Sequence, residues 1–169
     1  MQNQNLIVRD ARPDELDRVS LVIKNAYWQY RSVMPASEWK LYLRDIMDVR
    51  SRLSDANLIV AEVDRKLAGA VTLYIDARSS REQGWPEGWA GVRILAVHTA
   101  YRGRGVGRVL MEECLRRCRA CGIRTVGLHT TTAMDVARRM YERMGFERIP
   151  EFDFNPAPEI VVMAYRLDL

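Results

Sequence analysis

Residues 94–110 read ILAVHTAYRGRGVGRVL: a short apolar run, then Arg102, Gly103, Arg104, Gly105, Val106 and Gly107, then an amphipathic segment entered through Arg108. That order is strand, glycine loop, helix. Glycine removes side chains that would screen backbone N–H groups from an anion, and it tolerates positive φ. The helix that follows adds unpaired N–H donors and the positive end of its dipole. Arg102, Arg104 and Arg108 bring full charges to the same stretch. A diphosphate is the ligand this junction suits.

The spacing narrows the choice of diphosphate. Dinucleotide folds use G-x-G-x-x-G and P-loops use G-x-x-x-x-G-K-[ST]; glycines at 103, 105 and 107 with no Lys in the loop fit neither. The stretch resembles instead the R/Q-x-x-G-x-G/A signature of the GNAT superfamily, N-acyltransferases that use acetyl-CoA, with Arg102, Gly105 and Gly107 in the signature positions. Leu95, Ala96 and Val97 resemble that family's cofactor-lining strand, and ARRMYERMGF at 137–146 resembles its second motif. The resemblance runs roughly from Leu6 to the C-terminus. It implies an α/β fold, a mixed and largely antiparallel sheet flanked by helices. It also implies acetyl-CoA as co-substrate: Leu95, Ala96 and Val97 pair with the pantetheine, and Gly103, Arg104, Gly105, Val106, Gly107 and Arg108 hold the diphosphate together with Arg102.

Composition frames this reading. The 169 residues, 48% of them hydrophobic, suffice for one domain spanning 1–169. No apolar run is long enough to cross a bilayer, and MQNQNLIVRD lacks the basic start and apolar stretch of a secretion signal, so a soluble cytoplasmic protein without a membrane partner is expected. Between Arg102 and Arg124 stand seven arginines against Glu112 and Glu113. Aromatics are not interleaved with them and no nucleic-acid-binding motif is recognisable, so coenzyme A, not nucleic acid, is the expected anionic partner. Cys114, Cys118 and Cys121 continue an i, i+4, i+7 stripe with Val106 and Leu110, which reads as a core-facing helix, without a metal site or an acyl-cysteine.

Along the chain, residues 6–10 read as a strand, and Pro13 suits the first turn of a helix running to about Tyr27. Ser37 is a plausible N-cap for a second helix through about Leu53. Strands over 58–63 and 67–75 join at Asp64, Arg65 and Lys66. An irregular stretch at 76–88 precedes a strand over 89–97; the long helix after the glycine loop ends near Cys121 and Gly122. A strand at 125–130, a helix at 134–144 and a strand at 160–167 complete the order.

Acetyl transfer from a thioester to an amine, the chemistry that the resemblance implies, makes three demands. The amine must lose its proton, since an ammonium of pKa about 10 has no lone pair for attack. Charge developing on the carbonyl oxygen needs a fixed donor, which the family supplies as a backbone N–H where the strand at Leu95, Ala96 and Val97 bulges. The departing thiolate needs an acid. Tyr141 matches the tyrosine of the second motif and is the expected general acid. Gly145 suits a left-handed helix cap, which makes Tyr141 the C3 residue with Phe146 packed on it. Tyr141 also belongs to an apolar stripe with Val136, Ala137, Met140 and Met144.

Two positions depart from the family pattern: Gly91 stands where many members carry a glutamate base, and Met134 where an asparagine often bonds the pantetheine. Glu87 is a candidate base, directly or through water, and His98 and His129 are further candidates by the pKa of imidazole. His98 suits a capping role, and His129 faces away from Val126 and Leu128. Residues 28–36 and 76–88 map to the family's acceptor region, with 155–159 a further stretch. Trp28, Tyr30, Trp85 and Trp89 are candidates to line it, and Asp76, Glu82 and Glu87 supply its acids. The acceptor expected is a small-molecule or peptide amine. A homodimer through a sheet edge is compatible with the sequence. A non-catalytic acyl-CoA-binding sensor or scaffold is the competing reading.

Overall fold

In the computed structural model, which describes residues 5–80 and 84–169, the apolar and turn patterns of the sequence become eight strands and four α-helices. The strands form one mostly antiparallel sheet in the order β1-β2-β3-β4-β5-β8-β6, with β7 beside β8. The chain divides into two compact units. One holds the chain up to Thr72 with Ile94–Glu113, the other Leu73–Arg93 with Cys114–Leu169.

In the first unit β1 (Leu6–Asp10) pairs antiparallel with β2 (Asn57–Val63), from Leu6 opposite Val63 to Asp10 opposite Ile59. Pro13 opens a single 3-10 turn, Pro13–Glu15, and α1 follows over Leu16–Tyr27. Leu16, Val19, Ile23, Ala26 and Tyr27 are buried along one stripe of α1, as an amphipathic helix requires. Glu15 has a fully buried side chain held by the Arg9 guanidinium, which also bonds Glu62.

The second helix differs from expectation at both ends: α2 covers Ala36–Met47, with Pro35 and not Ser37 at the N-cap. It stops at Met47 because the buried Arg52 folds back, its guanidinium donating to the carbonyls of Asp45 (2.6 Å) and Ile46 (2.7 Å) and satisfying acceptors that further helix would have used. β2 turns into β3 (Lys66–Tyr74) through Asp64 and Arg65, both at positive φ (50° and 66°), a two-residue hairpin turn. Strand β4 (Trp89–Val97) and helix α3 (Val106–Ala120) follow, each contributing to both units.

In the second unit β4 runs parallel to β5 (Thr125–Thr131) from Trp89 opposite Thr125 to Val92 opposite Leu128. β5 pairs antiparallel with β8 (Ile160–Asp168). Helix α4 (Asp135–Arg143) connects β5 to β6 (Glu147–Arg148), and β7 (Phe154–Ala157) precedes β8. The short strands β6 and β7 carry no alternation of their own; β8 defines them by pairing. A Cβ on Gly127 would stand 2.7 Å from the Trp85 ring, so the absent side chain lets the indole lie on the sheet. Trp85 is therefore core, packed with Ala77, Ile149 and Ala164, and not an open wall for an acceptor.

Candidate functional site

The glycine loop lies in the first unit. Gly103 and Gly105 both hold positive φ (73° and 77°), a conformation that side-chain-bearing residues rarely adopt. Val109 N–H donates to the Gly105 carbonyl at 3.1 Å, which makes Gly105 the N-cap of α3. Val106, Gly107 and Arg108 are then the first three helical residues, whose N–H groups have no acceptor within the helix. A glycine at the cap offers them no side-chain oxygen. An external anion can therefore take these donors at the positive end of a helix of 15 residues.

The loop's arginines are not equivalent. Arg104 lies over the Tyr101 ring, 5.6 Å from its centroid. Arg108 donates to Glu112 at 2.7 Å in an exposed i, i+4 pair, weak enough for a phosphate to compete with. Arg102 donates to the Ala26 carbonyl and to Gln29 Oε1, at 3.0 and 3.2 Å.

Upstream, Ile94 sits at φ 55°, in the left-handed region that a β-branched residue avoids, so the strand is distorted just before Leu95, Ala96 and Val97. The Tyr27 hydroxyl donates to the Leu95 carbonyl at 3.3 Å. His98 Nδ1 accepts from Ala100 N–H at 3.2 Å, a cap that requires the ring's proton on Nε2. Sequence patterns mark Asn25 and Tyr27 only as part of α1, and Gln29 only as part of the 28–36 stretch that follows it. Trp28 is exposed on that segment with Lys24 and Arg31 beside its ring, and burial raises the Tyr30 pKa against the opposing charge of Arg102.

In the second unit, α4 ends as expected. Phe146 N–H donates to the Tyr141 carbonyl and Gly145 N–H to that of Glu142, each at 3.0 Å, with Gly145 at φ 93°. The Tyr141 ring is buried and tilted against Phe146, centroids 5.8 Å apart. Val136, the second residue of α4, is 84% exposed and leaves the stripe, while Ala137 beside it is half-buried. Gly91 lies on β4 where an added Cβ would stand 3.3 Å from that of Ala77, so the packing leaves little room for a larger side chain. Glu87 is exposed and 3.5 Å from Arg78 Nη1. Asp76 caps a turn and pairs with Arg78, while Glu82 lies outside the described residues. His129 Nε2 lies 3.0 Å from the Phe152 carbonyl, and its ring sits 4.5 Å from Trp85.

Among the cysteines, Cys114 and Cys118 are buried, and burial pushes the Cys118 thiol up to about 11. Cys121 is exposed, contrary to expectation: the chain turns out of α3 there, with Ile123 N–H donating to the Cys118 carbonyl and Gly122 at φ 72°. No group of three metal-ligating side chains occurs among the described residues, and no described helix is long and apolar enough to cross a membrane.

A model of the Acetyltransferase (GNAT) family matches residues 22–146. Mycothiol acetyltransferase of Propionibacterium freudenreichii subsp. shermanii is 32% identical over 116 residues, 66% of this chain and 35% of that protein. N-alpha-acetyltransferase RimI of Mycobacterium tuberculosis is 36% identical over 102 residues, 53% of this chain and 61% of that protein. The chain thus spans about a third to three fifths of these relatives. Among solved structures, PaiA N-acetyltransferase from Thermoplasma acidophilum, in complex with coenzyme A, superposes with TM-score 0.73 at 17% identity over 96% of this chain and 99% of that one. A GNAT family acetyltransferase from Brucella melitensis, in complex with acetyl-CoA, gives 0.65 at 21% identity over 98% and 88%. Both share the fold.

Proposed function

The chain belongs to the GNAT acetyltransferase family, and from that premise we propose that it transfers the acetyl group of acetyl-CoA to a primary amine by direct attack in a ternary complex. The observation that carries this reading is Gly105, a cap without a side chain at the start of α3. The N–H groups of Val106, Gly107 and Arg108 take the diphosphate, and the Arg104 and Arg108 charges stand beside them. Leu95, Ala96 and Val97 line the pantetheine along the strand segment that follows the distorted Ile94. A backbone N–H of that segment receives the charge that grows on the thioester carbonyl oxygen as the amine nitrogen bonds to its carbon.

When the C–S bond breaks, the departing sulfur takes the phenolic proton of Tyr141. The cap that binds Phe146 to Tyr141 supports this role by fixing the ring. The amine's proton leaves through water, and Glu87, which is exposed and ion-paired, takes it only by that route. Tyr141→Phe is expected to lower kcat by about 10²- to 10⁴-fold with coenzyme A affinity and fold retained. Turnover near wild type would remove the assignment. Peptides with a free α-amino group, the acceptor class that the name N-alpha-acetyltransferase suggests, enter the same panel of small-molecule and peptide amines, with free-thiol release as the signal. Activity of this kind belongs with a cytoplasmic location.

Two observations favour a second reading, an acyl-CoA-binding sensor. Gly91 is closed in by Ala77 where the family often carries its carboxylate, and Met134 replaces the usual asparagine. Saturable acetyl-CoA binding without amine-dependent thiol release across the panel would establish it.

A further inference from the structure

The signature position gives Arg102 to the diphosphate, yet its guanidinium is engaged within its own unit. One terminal nitrogen donates to the Ala26 carbonyl (3.0 Å), the other to Gln29 Oε1 (3.2 Å). Gln29 is anchored in turn, its Nε2 donating to the same Ala26 carbonyl at 2.9 Å. Asn25 Oδ1 accepts from Thr99 N–H at 2.9 Å, and the Tyr27 hydroxyl donates to the Leu95 carbonyl at 3.3 Å. Asn25, Ala26 and Tyr27 in the last turn of α1, and Gln29 just after it, are therefore bonded to Leu95, Thr99 and Arg102. The chemistry favours this pairing. Helix-terminal carbonyls lack intrahelical donors and carry the negative end of the dipole, so a cation with a planar fork is stabilised there.

We propose that Arg102 is a positioning residue that clamps the C-terminal turn of α1, and with it Trp28–Tyr30, onto the segment leading into the glycine loop. The two bonds use two of the five guanidinium N–H donors and fix the plane of the group, so it cannot turn to face a phosphate bidentately without breaking them. The clamp makes order in the aromatic segment depend on order in the loop. Trp28, exposed between Lys24 and Arg31, and Tyr30 inherit their placement from it. Only the identity of the loop's ligand rests on the acetyl-CoA reading.

Hydrogen exchange of the free protein tests the clamp without any ligand. The Arg31 and Val33 amides, bonded to the Trp28 and Tyr30 carbonyls, report the segment. Arg102→Leu is expected to speed their exchange by about tenfold, the loss of roughly one hydrogen bond's net stabilisation. Asn25→Ala combined with Gln29→Ala, at a half-buried and an exposed position, is expected to do the same and serves if the first variant folds poorly. Unchanged exchange in both would overturn the proposal. Calorimetry with coenzyme A then separates clamp from ligand. The clamp predicts affinities for the two variants within about threefold of each other, whereas a loss of tenfold or more confined to Arg102→Leu makes Arg102 a phosphate ligand and refutes it. If the wild type binds no coenzyme A, the acetyl-CoA reading falls and the clamp is judged on exchange alone.

Discussion

Gly69 offers a direct test of how closely α3 is seated in the first unit. It lies on β3 without positive φ, so its lack of a side chain serves space and not conformation. A Cβ there would stand 2.8 Å from the Ala96 carbonyl oxygen and 3.0 Å from both Leu110 Cδ1 and Val106 Cγ1. Leu110 could rotate away, but the Ala96 carbonyl is backbone and Val106 is the first residue of α3, so the clash cannot be relieved by one flexible tip. Overpacking of this kind costs about 1–3 kcal/mol, against which the restriction of the unfolded chain by alanine returns about 0.4–1 kcal/mol. Gly69→Ala should therefore be destabilised by about 1–2 kcal/mol, a fall in Tm of roughly 2–8 °C for a chain of this size. Because the displaced atoms belong to the proposed pantetheine strand and to the start of the diphosphate helix, coenzyme A affinity should fall in the same variant. Thermal unfolding by circular dichroism and calorimetric titration read the two effects. A Tm at or above wild type would refute the claim that Gly69 sets the approach of α3.

Three further outcomes follow from named contacts. Arg65→Gly relieves a left-handed arginine in the β2–β3 turn and should raise stability by about 0.5–1 kcal/mol, visible as a higher urea midpoint at unchanged m. Glu15, fully buried, is held below the ordinary glutamate range first by its hydrogen bond to Arg9. A depressed pKa contributes stability above the unfolded value of about 4.5 that is lost as pH falls through the folded value. Arg9 keeps Glu62 as a partner, so Glu15→Gln should cost about 1.5–3 kcal/mol at neutral pH and flatten the loss of stability between pH 5 and more acid conditions, measured by denaturant titrations. An aromatic disulfide reagent should label Cys121 rapidly in the native protein and Cys114 and Cys118 only on unfolding; equal rates at all three would contradict their burial.

Much of the fold was legible because its signals are local. The strand, glycine loop and helix of 94–110, the positive-φ hairpin at Asp64 and Arg65, and the cap that places Phe146 on Tyr141 each follow from residues adjacent in sequence. What escaped is set by contacts that periodicity does not encode. The end of α2 depends on Arg52 folding back onto the carbonyls of Asp45 and Ile46, seven and six positions earlier, and the apolar spacing over 37–53 does not show that side chain's direction. The short strands β6 and β7 exist through β8. The sequence leaves Trp85 open between pocket wall, rim and core, and Gly127, 42 positions on, decides it by giving the ring a seat in the core.

Arg102 shows the same limit within the site itself. A motif records that an arginine belongs before the glycines, and charge alone suggests a phosphate. Whether the guanidinium spends its donors on a ligand or on the end of a helix is decided by where Ala26 and Gln29 fall, 76 and 73 positions away. If the clamp holds, the loop's attraction for a diphosphate comes chiefly from backbone N–H groups and from Arg104 and Arg108, and substitutions at Arg102 should be felt first in α1.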